Sequence, residues 1–264
     1  ALVVLPEVDA HIVEAVTDQQ FGDFNRVILV TDLDHISKLG VTTFDLNGTL
    51  GLEVHQNLLN LSAQIQKWIM DMVLSIIVLV VLFPLFVLVG LLIKLTSKGP
   101  IFYSHSRIGQ GGKHFNIFKF RTMYQNADQM LEKYLEENPQ YREEWETEQK
   151  IRKDPRITPI GRILRKLSID ELPQVWNVIR GEMSLVGPRP IVDEEIEKYA
   201  DKFAVYKRVK TGITGLWQVS GRNNLPYEER VRLDEYYVRN WSIWLDVYIM
   251  ARTIWVVLGR DGAY

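Results

Sequence analysis

The sequence predicts an α+β protein that is mostly helical, seated in a membrane and furnished with one small β-hairpin. Three observations carry this reading. Met72 to Ile93 is a run of 22 residues without a charge. Two stretches, IFYSHSRIG and KHFNIFKFRTM, joined around Gln110, Gly111 and Gly112, read as paired strands. After Pro155 come short segments with strong helix-boundary signals. The composition permits a folded core, because 47% of the 264 residues are hydrophobic and 24% charged, which excludes disordered, collagen-like and coiled-coil classes. With 31 basic and 33 acidic side chains the net charge is -2, and no nucleic-acid partner is expected. The chain has no cysteine, so disulfides, thiolate catalysis and Cys-ligated metals are excluded. It starts at Ala1 without a signal-like segment and is read as a piece of a longer protein.

Residues 1 to about 50 read as α/β: LVVLP and RVILV as short strands, HIVEAVTDQQF between them as a helical connection. No glycine-rich fingerprint follows either strand, so no dinucleotide cofactor is expected there. At ~1.5 Å per residue the uncharged run matches a ~30 Å hydrocarbon core. Pro84 lies near its middle, where it removes a backbone hydrogen bond and costs a helix roughly 3 kcal/mol unless accommodated. A kinked spanning helix and a pair of half-helices of 12 and 10 residues that dip in and return both fit. Lys67 before the run against Lys94, Lys98, Arg107 and Lys113 after it mildly favours a span with the later portion cytoplasmic. Residues 127 to 149 read as a charged helical stretch interrupted near Pro139. The region Tyr227 to Leu258, with Trp241, Trp244 and Trp255 but also Asp246 and Arg252, suits a membrane interface, and a buried core helix fits equally well.

Three motifs invite chemistry. Thr158-Pro159 opens a helix whose Ile160, Ile163, Leu164 and Leu167 share a face, leaving Arg162, Arg165 and Lys166 opposite. Seven of the 17 residues from Lys150 to Lys166 are Lys or Arg, enough to attract a pyrophosphate or an anionic membrane, although a solvated basic face explains them as well. Ser168 with Glu171 three residues on is a capping-box pattern for a helix running toward Ile179 and stopped by Gly181. Asp170 and Glu171 then either complement the helix dipole or serve as an ionised nucleophile and a Mg2+ partner. Gly187-Pro188-Arg189-Pro190 restricts the backbone around a guanidinium suited to bidentate phosphate contact. Lys119 and Arg121 alternate onto one side of the second hairpin strand, and Gly221-Arg222-Asn223 adds another cation.

Two further stretches are set aside. RIGQGGKH, Arg107 to His114, lacks the first glycine and the terminal Ser or Thr of a phosphate loop. Asp45-Leu46-Asn47-Gly48-Thr49-Leu50 looks like an aspartate-based phosphohydrolase motif, but Asn47 stands where a general acid is needed.

Taken together, the apolar helix with its central Pro, KFRTM at 119 to 123, RKLSIDELPQ at 165 to 174, GPRP at 187 to 190 and GITGLWQVSGRN at 212 to 223 resemble the bacterial sugar transferase family, the monotopic phosphoglycosyl transferases that initiate surface glycan assembly. The C-terminal extension is most like the large members that act as undecaprenyl-phosphate galactose phosphotransferases in O-antigen synthesis. The resemblance implies a C-terminal remnant of a Rossmann-like domain at residues 1–60, a re-entrant helix broken at Pro84 within 61–97, and a catalytic domain at 98–264. It overrules the charge count that favours a span, though Phe83 replaces the Ser that short members often carry before the proline. It implies that Asp170 attacks the β-phosphate of a UDP-sugar and releases UMP, and that undecaprenyl phosphate then removes the sugar phosphate. Glu171 would complete an Asp-Glu dyad holding Mg2+ with Asp170, while Lys119, Arg121, Arg165, Arg189 and Arg222, with Gly187, Pro188 and Pro190, would handle the phosphates and the nucleotide. The expected setting is the cytoplasmic face of the bacterial inner membrane, with a homodimer, interfacial amphipathic helices and galactose or glucose as the sugar.

Overall fold

The computed structural model describes residues 61–142, 154–221 and 225–259, with Leu58, Trp145 and Ile151, and the backbones of four short strands that precede them. Those strands are β1 (Leu2–Val4), β2 (Val27–Leu29), β3 (Val41–Leu46) and β4 (Thr49–Val54), in the order β1-β2-β4-β3. The two expected strands form and pair in parallel, Leu2 opposite Val27. The helix expected between them lies outside the described residues. β3 and β4 were not foreseen; they pair antiparallel with Leu46 opposite Thr49. Asp45 of the phosphohydrolase look-alike lies inside a strand, opposite Leu50.

The uncharged run lies within α1 (Leu61–Thr96), 36 residues long with Pro84 inside it. The half-helices of 12 and 10 residues therefore run as one element, because a proline deletes one hydrogen bond and the neighbouring turns still close. Among the described residues it is the one helix long and apolar enough to cross a membrane. Its surface divides by face, with Val78, Leu79, Leu82, Leu85 and Phe86 partly buried on the side that faces the rest of the chain. Lys67, Asp71, Ser75, Val89, Gly90 and Ile93 are buried near its two ends, whereas Ile76, Ile77, Val80, Val81, Phe83 and Val87 between them are exposed. Near the first end Lys67 Nζ reaches Asp246 at 2.6 Å, and Asp71 accepts from Ser184 Oγ at 2.7 Å and the Leu185 amide at 3.2 Å. Near the second, Val89 and Ile93 pack with Phe120 and Leu164. One face of the helix thus rests on one folded body, with Leu85 and Phe86 packed beside Phe120 and Leu164, while the opposite face meets no described residue of it.

That body begins with the expected hairpin, β5 (Phe102–Ile108) and β6 (His114–Phe120). Gly111 and Gly112 turn it at φ 73° and 72°, the left-handed region that glycine enters without cost from a Cβ. α2 (Ala127–Glu137) ends before Pro139 as its sequence requires. α3 (Pro159–Lys166) and α4 (Gln174–Ile179) follow, then β7 (Ser184–Val186), α5 (Ile196–Tyr199), α6 (Phe203–Tyr206), β8 (Gly212–Thr214) and α7 (Leu216–Ser220). β7 and β8 pair in parallel, Ser184 opposite Gly212.

The aromatic terminal region divides into α8 (Tyr227–Arg239) and α9 (Ile243–Gly259). The core-helix reading holds for one side of α9, where Asp246 and Ile249 are wholly buried, whereas Trp244 and Trp255 on the other are 80% and 73% exposed. Val186, Val205, Leu216, Tyr237, Trp241 and Ile249 form the core under α8 and α9.

Candidate active site

Thr158 caps α3 as expected, its hydroxyl accepting the Gly161 amide at 2.9 Å with Pro159 in the first turn. Gly161 lets α3 cross the KFRTM segment closely just past β6, since a Cβ there would collide with the Thr122 backbone. The apolar face is narrower than its spacing implies. Leu164 is buried and Ile160 packs beside it, but Ile163 and Leu167 are exposed. The cations divide too: Arg162 and Lys166 are exposed, while Arg165 turns inward and its Nε donates to Thr122 Oγ1 at 2.9 Å.

Ser168 to Glu171 departs from the expected capping box. Ser168 takes a left-handed conformation at φ 54° and caps nothing with its side chain. Asp170 and Glu171 occupy a separate 3-10 turn, Ile169–Glu171, and α4 starts only at Gln174. The reason is that Glu171 is engaged elsewhere, accepting from Lys119 Nζ at 2.6 Å. Gly181, at φ 75°, does follow the end of α4.

The two carboxyls are driven apart electrically. Burial and the neighbouring Glu171 charge push Asp170 above the ordinary carboxylate value, with Lys119 and Arg165 pulling against them. A carboxylate kept ionised by a helix N-terminus is therefore not what the turn provides. Burial alone would raise Glu171 as well, but Lys119, Arg189 and Arg107 outweigh it and hold that carboxyl below its usual range.

Lys119, Arg165 and Glu171 are thus brought around Asp170, and Arg189 stands beside Glu171. Gly187 permits the placement of Arg189, because a Cβ would strike the Lys210 carbonyl and the Gly212 amide. Its amide donates to Thr214 O at 2.9 Å, and the Pro188 carbonyl accepts from Gly212 at 2.8 Å. Pro188 and Pro190 are buried on either side of Arg189, whose side chain makes no hydrogen bond or ion pair with any described residue.

Arg121 is not gathered with them. Its guanidinium donates to Ser97 O, Ser97 Oγ and Lys98 O at 2.7–2.9 Å, sealing the end of α1 as cations do at helix C-termini. Gly99, at φ 119°, leaves the room, since a Cβ there would overlap the Arg121 side chain. Arg222 lies outside the described residues.

Sequence reasoning missed Arg107, set aside with the phosphate-loop look-alike. The hairpin register puts Tyr103 opposite Lys119 and Arg107 opposite Phe115, so Arg107 and Lys119 share a face, a relation that period-2 alternation on both strands contains. Arg107 lies 3.9 Å from Glu195, and its Nε is buried without a partner. Lys119 and Arg165 therefore act on Asp170, and Lys119, Arg189 and Arg107 on Glu171, so four cations surround the acid pair.

No cluster of three His, Asp or Glu suited to a metal occurs among the described residues. Asp170 and Glu171 offer two carboxylates, which fits Mg2+ held jointly by protein, substrate phosphates and water rather than by a closed protein cage.

Sequence comparisons identify the family. The bacterial sugar transferase profile matches residues 62–260. The undecaprenyl-phosphate galactose phosphotransferase of Salmonella typhimurium (strain LT2) is 48% identical over 214 residues, 81% of this chain and 44% of that protein. The UDP-galactose-lipid carrier transferase of Erwinia amylovora is 47% identical over 213 residues, 81% of this chain and 44% of its own. The exopolysaccharide production protein ExoY of Sinorhizobium fredii (strain NBRC 101917 / NGR234) is 48% identical over 200 residues, 76% of this chain and 88% of that one. The chain spans less than half the length of the first two and most of the third. With a profile match across three quarters of its length, the chain belongs to the bacterial sugar transferase family.

Proposed function

We propose that the chain transfers a hexose 1-phosphate, galactose 1-phosphate in the first instance, from a UDP-sugar to undecaprenyl phosphate, beginning O-antigen or another surface polysaccharide. The observation that carries this is a half-buried carboxyl, Asp170, set against Glu171 and faced by Lys119 and Arg165, with Arg107 and Arg189 beside Glu171. Four cations are suited to a diphosphate, and an aspartate among them is suited to attack phosphorus.

In the first step an Asp170 oxygen forms a bond to the donor's β-phosphorus while the bond from that phosphorus to the bridging oxygen breaks. UMP leaves with the bridging oxygen and its electron pair, and the sugar phosphate remains on Asp170. In the second step a phosphate oxygen of undecaprenyl phosphate attacks the same phosphorus, Asp170 leaves as carboxylate, and the product is a diphospholipid. Lys119 and Arg165 favour the ionised, attacking form of Asp170, and Arg107 and Arg189 stand ready for donor oxygens. Mg2+, held by Asp170 and Glu171 with the substrate, would neutralise diphosphate charge.

The docking of α1 supports a re-entrant arrangement. A helix spanning the bilayer separates its ends by the membrane, whereas both ends of α1 rest on the body that carries Asp170. Its exposed apolar face, which carries Ile76, Val80, Phe83 and Val87, is then the part immersed in lipid. This holds the site at the depth where a lipid phosphate resides, with the body on the cytoplasmic face. An engineered cysteine at position 56 should react only from that side; labelling from the periplasm would establish a span instead.

The decisive experiment is intact mass spectrometry after incubation with UDP-galactose, UDP-glucose and UDP-N-acetylhexosamines and no lipid acceptor. A mass increase of one hexose phosphate is expected with the true donor, glucose being the alternative sugar. The adduct and UMP release should vanish in Asp170→Asn and persist in Asp45→Asn. Undiminished UMP release from Asp170→Asn, or the reverse sensitivity, would refute the assignment.

A further inference from the structure

We propose that Tyr206 is a positioning residue for the donor-phosphate site, holding Arg107 and Arg189 in one frame through its buried hydroxyl. This rests on the transfer reading above. Tyr206 is 2% exposed, and its ring packs against Tyr199 and Phe203 at centroid distances of 5.0 and 5.9 Å. Its Oη lies 2.9 Å from Ile108 O and 3.1 Å from Arg189 O, both acceptors for its proton, and it accepts the Ile191 amide at 3.2 Å. The first group adjoins Arg107, the second belongs to Arg189, and the third lies two residues beyond it.

Besides the packing of Ile108 with Ile191 and an exposed His114–Asp193 contact, the seam that Tyr206 closes has a single backbone pairing among the described residues. The hairpin and the GPRP segment meet at an isolated antiparallel bridge, Ile108 with Ile191, whose backbone bond runs from Ile108 N to Ile191 O at 2.9 Å. Across it stand two like charges, and protonation of Arg107 is disfavoured first by its burial and then by the Arg189 charge. Glu195, 3.9 Å from Arg107, opposes that repulsion only in part. Before an anion binds, the backbone must keep two mutually repelling guanidiniums together, and the Tyr206 hydroxyl ties both sides of the seam. Anion binding then begins from an arrangement whose ordering cost is already met.

Tyr206→Phe removes the oxygen and keeps the ring, so a packing role survives it and a positioning role does not. In the full chain in nanodiscs, kcat/KM for UDP-galactose should fall about ten-fold, most of it through KM, as expected for loss of hydrogen bonds of roughly 1 kcal/mol each. In an Arg189→Lys background the same substitution should cost about three-fold or less, because the cation it positions is already altered. An unchanged donor KM, or losses that simply multiply, would overturn the proposal.

If Tyr206→Phe is too unstable to assay, UDP serves as the probe. The rise in Tm that UDP produces should be clearly smaller than in the wild type, and an equal rise would overturn the proposal. Because that readout needs no turnover, it is separable from failure of the transfer reading, which shows instead as absence of the Asp170 adduct in the wild type.

Discussion

Lys67→Met is the sharpest test of how α1 is held. Asp246 is wholly buried and accepts from Lys67 Nζ at 2.6 Å, Tyr237 Oη at 2.7 Å and Trp241 Nε1 at 3.0 Å. Lys67 also stands 3.9 Å from Asp71, itself buried, and lies 5.9 Å from the ring centroids of both Tyr237 and Trp241. Met keeps the length and apolar stem of the side chain but leaves two interior carboxylates without their shared cation. Breaking one member of a buried pair costs about 3–5 kcal/mol, chiefly through the charge left behind, against a typical margin of about 5–15 kcal/mol. Removing the exposed pair Arg232 with Glu229 should cost at most about 0.5 kcal/mol. The assay is unfolding of the full chain in nanodiscs, paired with limited proteolysis around residue 60 to detect release of the first part of α1. Lys67→Arg should recover much of the loss. If Lys67→Met unfolds within about 1 kcal/mol of the wild type, the claim that this pair fastens the helix is wrong.

Two other predictions concern titration. Lys119 is the strongest opposing charge on Glu171 and the larger of the two cations acting on Asp170, so Lys119→Met should raise both carboxyls and move the acid limb of UMP release to higher pH. An unmoved limb would contradict the assigned electrostatics. Asp234, fully buried, is pushed up to about 8 by that burial, with the Tyr199 hydroxyl and Arg189 opposing the rise. The folded value then exceeds the unfolded one, so its contribution to stability is complete below about pH 4 and is lost as pH rises through about 8. Asp234→Asn should gain stability relative to the wild type over that interval, by an amount on the order of a few kcal/mol at pH 8; a difference independent of pH would exclude the shift.

The elements that local rules govern were legible in the sequence. Thr158-Pro159, the Gly111-Gly112 turn, Gly181 and the stop before Pro139 each state a backbone requirement within three or four residues. The acid pair and its cations were legible as motifs, but their roles were not. Ser168-x-x-Glu171 satisfies a capping pattern, yet a lysine 52 residues earlier in the chain takes the glutamate. Lys119 and Arg121 share a strand parity, yet the strand ends at Phe120 and the second cation turns to the end of α1. Arg107 was hidden for the opposite reason: its place is defined by cross-strand register, which a scan for a contiguous loop motif does not consult. Local pattern gives a side chain its direction, while its partner is decided by elements distant in sequence.

The opposed shifts of Asp170 and Glu171 bear on why two adjacent carboxyls would be kept. In the proposed double displacement Asp170 must first attack phosphorus and then leave it. A raised pKa favours the attack and hinders the departure, so burial of the nucleophile alone would speed one step at the expense of the other. The cations change that balance because they act on the phosphoryl oxygens as well as on the carboxylate, and charge accumulates on those oxygens in both transition states. Glu171, held ionised by Lys119, Arg189 and Arg107, keeps these cations in place without competing for the proton of Asp170. On this argument Glu171→Gln impairs both half-reactions together, whereas loss of a donor-specific contact slows UMP release and leaves transfer from a preformed adduct intact. Single-turnover measurement of each step separates the two cases, and an effect of Glu171→Gln confined to UMP release would refute the shared role.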